Sequence, residues 1–271
     1  QKDGRIVVAG ASGTSGGISS IFVARYLEDG TPDTGFDGDG FAEIQPGGNP
    51  GFAGGVAVQE DGKIVVAGSS GGPGDQDFTV VRLKADGSLD AGFDGDGVAL
   101  TVFGADTSFA QGLALQPDGG IVAAGARQTS TVSQAVLVRY LADGSPDASF
   151  GSGGAVSTPI GLDGGVAAAV ALQDNGSIVV AGTAQKGILD ADSLLLRYLP
   201  NGDLDPDFAG AGLVTTDGGT NDHAAAVALQ SDGKIVVEGQ NDHDVILIRY
   251  EGDPPAPAPQ PSSGGCDLIV R

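Results

Sequence analysis

At 271 residues the chain can bury a full core, as one repeat-built domain or as two ordinary ones. Its 48 glycines and 5% aromatic content argue against helical packing, and its valine-rich runs argue for strands joined by tight turns. A formal net charge of −22, mostly from turn-favouring aspartates, repels phosphate backbones and anionic lipid, so neither nucleic acid nor a membrane surface is an expected partner.

No stretch of 18 apolar residues occurs, so no membrane span is expected. The chain begins at Gln1 and contains no methionine, so removal of a signal peptide is expected, with a secreted or cell-surface location.

Read in chain order, "QKDGRIVVAG" at residue 1 returns as "QEDGKIVVAG" at 59, "QPDGGIVAAG" at 116, "QDNGSIVVAG" at 173 and "QSDGKIVVEG" at 230. Such constant spacing marks an internal repeat. A first strand ("GVAVQ", "GLALQ", "AVALQ") runs into a two-residue turn, mostly Asp-Gly, and then a second strand, "KIVVAG". That is a strong hairpin signal. A third strand ends at Arg25, Arg82, Arg139, Arg197 and Arg249 of the successive units. Turns carrying Phe36, Phe93, Phe150 and Phe208 then lead to a short fourth strand ("FAEIQ", "VALTV", "AVSTP", "LVTTD").

Four-stranded units repeated about an axis predict an all-β fold, a five-bladed β-propeller of antiparallel blades over residues 1–251. The phrases "DGKIVVAG" and "RYLxDGSLDxxFG" resemble the delta-60 repeat, a β-propeller family of unknown function in bacterial surface and secreted proteins. The resemblance covers roughly residues 1–250 and implies a propeller and export, with no activity attached.

Residues present in every unit are expected to build blades. The arginines are expected to pair with turn aspartates such as Asp61, Asp118 and Asp232, and the phenylalanines to plug the core between blades. The "FDGDG" turns place Asp37 and Asp39, and in the next unit Asp94 and Asp96, at spacings suited to Ca²⁺, with Asp33 and Asp90 nearby. The same turn reads "FGSGG" and "FAGAG" later, so it folds without those carboxylates, and solvated turn acids are the simpler reading.

The fifth unit breaks the pattern with both histidines, His223 and His243, and with Glu238 where the other units hold Ala. These three are a candidate transition-metal set, although their spacing matches no established motif. With no nucleophile elbow, phosphate loop or Cys/His pair on the blades, the expectation is a non-enzymatic chain without a cofactor, Ca²⁺ being the one candidate ligand.

The first unit lacks its first strand and the last lacks its fourth, giving 18 strands where five complete blades need 20. The chain ends in a Pro/Ser/Gly stretch, 252–265, followed by Cys266, Asp267, Leu268, Ile269, Val270 and Arg271. Set before Gln1, "DLIVR" reads as the missing first strand, adding to an acceptor edge at Gln1, Arg5, Ile6, Val7 and Val8. The tether spans roughly 40 Å in extended geometry. It reaches the chain's own edge or that of a neighbour. The main expectation is head-to-tail self-assembly into an extracellular filament or surface layer. The alternative is a monomeric module binding glycan, protein or Ca²⁺ through loops around 11–20, 69–77, 126–134 and 183–192.

Overall fold

In blades 2–5 a tight turn, mostly Asp-Gly, closes the first hairpin, and the strands gather into five antiparallel sheets. The computed structural model describes residues 1–13, 19–72, 74–161, 163–187, 190–219, 221–241 and 244–252. Blade 1 holds β1 (Ile6–Ser12), β2 (Ser20–Tyr26) and β3 (Phe41–Ile44). Blade 2 holds β4 (Gly51–Val58), β5 (Ile64–Gly72), β6 (Asp75–Leu83) and β7 (Val98–Thr101). Blade 3 holds β8 (Thr107–Leu115), β9 (Ile121–Gln128), β10 (Ser133–Tyr140) and β11 (Ala155–Thr158). Blade 4 holds β12 (Gly165–Leu172), β13 (Ile178–Gln185), β14 (Ala191–Tyr198) and β15 (Leu213–Thr216). Blade 5 holds β16 (His223–Leu229), β17 (Ile235–Gln240) and β18 (Val245–Tyr250). Three sheets are thus complete, and the first and last have three strands each among the described residues. The expected tether and tail strand, Gly252 excepted, lie outside the described residues. No helix among those residues is long and apolar enough to cross a membrane.

In blades 2–5 the first strand is longer than its sequence signal because a bulge interrupts the alternation, at Ala53/Gly55, Ala110/Gly112, Ala167/Ala169 and Ala224/Ala226. The loops expected around 69–77 and 126–134 are largely strand. Gly72 pairs with Asp75 and Gln128 with Ser133, so the ladder runs on through Gly and Ser to a tight turn.

Strands with period-2 side chains bury both faces when sheets stack face to face. Ile64 and Val66 of β5 pack toward blade 1, with Ile21, Val23 and Phe36. Their neighbours Val65 and Ala67 pack toward blade 3, with Ile121, Ala123 and Phe93. The same division gives layers between blades 3 and 4 and between blades 4 and 5. The five blades therefore share four apolar layers, and no comparable contact joins β16 or β18 to β1 among the described residues. The described sheets form an open arc.

The repeated arginines pair elsewhere than expected. Arg25, Arg82, Arg139 and Arg197 donate through Nε to Asp33, Asp90, Asp147 and Asp205, at 2.7–2.8 Å, eight residues on in the same unit. Each guanidinium also lies 4.6–4.8 Å from the ring centre of Phe36, Phe93, Phe150 or Phe208. Nη1 of the first three crosses to the next blade, donating to Ala85 O, Ala142 O and Pro200 O. Asp61 and Asp232 instead pair with Lys63 and Lys234 beside them in the turn. A two-residue hairpin turn holds its Asp at the sheet's end, whereas the Phe-bearing turn folds its Asp back under the arginine. The phenylalanines are core plugs as expected, with Phe36, Phe93 and Phe150 fully buried.

These pairs set the acid response. Burial opposes ionisation of Asp90, but the Gly92 N–H and the Arg82 charge outweigh it and hold its carboxyl below the ordinary value of 3.8. Asp33 is lowered in the same way, and Asp147 is lowered first by its bond from Ser149. A depressed folded-state pKa contributes stability that is present above the unfolded value and lost as pH falls through the folded one. Stability, followed by circular dichroism, is therefore expected to hold at pH 5–7 and to fall below about pH 4. A midpoint of denaturation that does not move between pH 5 and pH 3 would contradict it.

Candidate functional site

The sheet ends of the arc are where the repeat is unfulfilled. In blades 2–5 the Gly closing "VVAG" cannot be any other residue without movement. A Cβ on Gly68, Gly125, Gly182 or Gly239 would stand 1.9–2.2 Å from Phe52 O, Phe109 O, Val166 O or His223 O of the first strand alongside. Blade 1 keeps the same residue as Gly10, and nothing lies within 4 Å of its Cβ position. A strand-interior glycine is costly unless close approach requires it.

The turn glycines repeat the pattern. Gly87, Gly144 and Gly202 are pressed by Phe36, Phe93 and Phe150 of the preceding blade, while Gly30 faces open space. Around these glycines Ile6 and Val8 are 50% and 48% exposed, and at the other end Val245 and Leu247 are 73% and 72% exposed. In the inner blades the equivalent positions are sealed, as at Ile64 and Val66 or at Leu195.

Of the expected acceptor edge, Ile6 and Val8 are exposed and Val7 packs toward blade 2. Arg5 pairs with Asp3 and, at 2.8 Å, with Asp33, while the Gln1 amino group donates to Arg5 O at 2.6 Å. The edge of β1 away from β2 has no strand on it among the described residues. The six expected tail residues, Cys266–Arg271, lie outside those residues.

Along the axis, the first strands of blades 2–5 leave a cleft of about 510 Å³. Gly54, Gln111, Ala168 and Ala225 line it, with Thr183, Gln185 and His223. His223 Nδ1 lies 3.2 Å from Thr183 Oγ1, which fixes the ring against blade 4.

The candidate metal ligands separate. Asp37 and Asp94 sit at φ 49° and 48°, and their N–H groups donate to Asp86 O and Asp143 O of the next blade, both at 2.7 Å. Gly151, at φ 53°, does the same to Asn201 O, and Ala209 takes the same left-handed backbone in blade 4 at φ 52°, so the turn keeps this conformation with Asp, Gly or Ala. Asp39 and Asp96 accept from the N–H of Phe41 and Val98 in their own turns. Burial, then Asp96 and Asp143, raises the Asp94 carboxyl. Glu238 is exposed opposite Ala226 and Leu247, on the face turned away from blade 4, and His243 lies outside the described residues. None of these residues meets two other acid or histidine ligands at metal-binding distance among the described residues.

The fold is shared with known propellers. A polysaccharide lyase of family PL25, an ulvan lyase, aligns over 93% of this chain and 65% of its own, at 9% identity and a TM-score of 0.54. A GH43 endo-arabinanase from Bacillus licheniformis aligns over 93% and 92%, at 12% identity and a TM-score of 0.48. The polysaccharide lyase Uly1 aligns over 94% and 80%, at 13% identity and a TM-score of 0.31. At 9% identity the likeness to the ulvan lyase shows the fold alone. It nonetheless overturns the expectation of a non-enzymatic chain, because that rested on missing motifs, and an enzyme stands on this scaffold. No curated protein matches the sequence. The repeats themselves do match, at residues 1–36, 59–93, 116–150 and 173–208, just over half of the chain, and the chain belongs to the family described as a domain of unknown function (DUF5122) beta-propeller.

Proposed function

We propose that the chain is an extracellular propeller segment that joins copies of itself head to tail. Cys266–Arg271 of one copy adds as a first strand to the free edge of β1 in the next, tethered by residues 252–265. Gly10 carries this reading. Blade 1 retains the glycine that elsewhere exists to admit a first strand, and no strand occupies that place among the described residues. "DLIVR" set before "QKDGRIVVAG" matches "AAVAL" before "QSDGKIVVEG" in the fifth unit. The uncovered faces of blades 1 and 5 are also the two sides of one repeating layer, so each complements the other on a second copy.

Sedimentation velocity on the full chain tests the reading. The native chain is expected to form concentration-dependent oligomers. Deletion of residues 253–271 and the substitution Gly10→Val are each expected to leave a folded monomer, because the Cβ position at Gly10 is open within one copy. Gly68→Val is expected to destabilise the fold itself, by about 1–3 kcal/mol or more. A native chain that stays monomeric at all concentrations, or oligomers that survive the deletion, would defeat the proposal.

The axial cleft favours a second reading, binding of a polar carbohydrate by Gln111, Thr183, Gln185 and His223, whose amide, hydroxyl and imidazole groups suit sugar hydroxyls. Calorimetry with acidic and neutral polysaccharide fragments, lost on His223→Ala, is the expected result. No heat with any fragment would remove it.

A further inference from the structure

Where blade 4 hands over to blade 5, three aspartates converge that the repeat does not predict. Asp192 stands near the start of β14, Asp217 follows β15, and Asp222 precedes β16. One carboxylate oxygen from each lies within 4.8 Å of the other two. At the equivalent positions of the junction between blades 3 and 4 stand Gln134, Pro159 and Gly165, so the cluster belongs to this junction and not to the repeat.

Two of the three carboxylates are deeply buried. Asp222 is 0% exposed and Asp192 is 2% exposed. Asp222 Oδ2 accepts from the Gly218 N–H, yet its Oδ1 is buried without a hydrogen-bond partner among the described residues. Asp192 Oδ2 accepts from Lys186 Nζ at 2.6 Å, and its Oδ1 too is buried without a partner. Lys186 reaches Asp217 at 3.8 Å. One ammonium stands within 4 Å of two of the carboxylates, and two buried carboxylate oxygens are left without a donor among the described residues. Burying an ionised oxygen unpaired is strongly unfavourable.

We propose that Asp192, Asp217 and Asp222 bind a divalent cation, Ca²⁺, which staples blade 5 to blade 4. The donors are all carboxylate oxygens, which select a hard cation over zinc or copper. They come from three separate segments in an irregular set, which Ca²⁺ accepts and the strict octahedron of Mg²⁺ does not. The Asp222 N–H already donates to Ala191 O at 2.7 Å, so the two blades are in register at the site before any ion arrives. Lys186 competes with the cation. Its Nζ stands 2.6 Å from Asp192 Oδ2, and the 45% exposure of its side chain lets it swing into solvent as the ion enters. The site is independent of self-assembly, because none of its residues lies on the uncovered faces.

Calorimetry and thermal unfolding of the full chain, stripped with EDTA and titrated with CaCl₂ or MgCl₂, test the assignment. Ca²⁺ is expected to bind one site and raise the melting temperature, and Mg²⁺ to do less. Asp217→Asn, at an exposed side chain that leaves folding intact, is expected to weaken Ca²⁺ at least about tenfold. Lys186→Gln is expected to tighten Ca²⁺ while lowering stability in EDTA. Asn at all of Asp37, Asp39, Asp94 and Asp96 is expected to change nothing in the titration. A Ca²⁺ response that Asp217→Asn leaves intact, one that the four turn substitutions abolish, or no heat up to about 10 mM Ca²⁺ would overturn it.

Discussion

Arg82→Ala is expected to destabilise the protein by about 3–5 kcal/mol, while Arg249→Ala, at the same place in the repeat, stays within about 0.5 kcal/mol. Arg82 is 5% exposed and ties together three things: the Asp90 carboxylate at 2.8 Å, the Phe93 ring at 4.7 Å and Ala142 O of the next blade at 2.5 Å. Removing it strands Asp90, 7% exposed, with only the Gly92 N–H and a Lys63 ammonium 3.7 Å away. Arg249 is exposed on the uncovered face of blade 5, where no described blade follows to receive it. Urea denaturation of the two variants measures the contrast. Equal losses would mean that the arginine acts within its own sheet and not as a link between blades.

The second large effect is expected at Phe93→Ala, about 3–5 kcal/mol, from lost burial and the cavity left behind. Phe93 is fully buried between blades 2 and 3, packed in the layer of Val65, Ala67 and Ile121. Its edge also presses on the backbone at Gly144, so truncation loosens the turn that the Asp94 N–H clasps through Asp143 O. Because Arg82 and Phe93 touch, the double variant is expected to lose less than the two single losses combined. Additive losses in the same denaturation assay would show that the cation–ring contact carries no energy of its own.

Much of this was legible in the repeat itself. Period-2 alternation and Asp-Gly turns at constant spacing specify hairpins, and comparing one unit with the next gives the strand count that the sheets show. The phenylalanines were legible as plugs because a large apolar residue in every turn has few other uses. The arginine partners were not. Asp61 and Asp90 are both turn aspartates in sequence, and only the path of the Phe-bearing turn beneath the strand brings Asp90 to Arg82. The FDGDG acids illustrate the converse. Their spacing suits a cation, but Asp37 and Asp94 meet the next blade through their left-handed backbone, each N–H donating to a carbonyl there.

The sequence alone determined the all-β character, the blade unit and its five copies, because these follow from local propensity and a period that any window reveals. Tertiary structure alone decided which copies are sealed and which are open, since Gly10 and Gly68 are identical in sequence and differ only in what stands beside them. It also decided where acids converge. Asp192, Asp217 and Asp222 come from three segments of two blades, and the burial that leaves their oxygens without donors arises only when those blades pack.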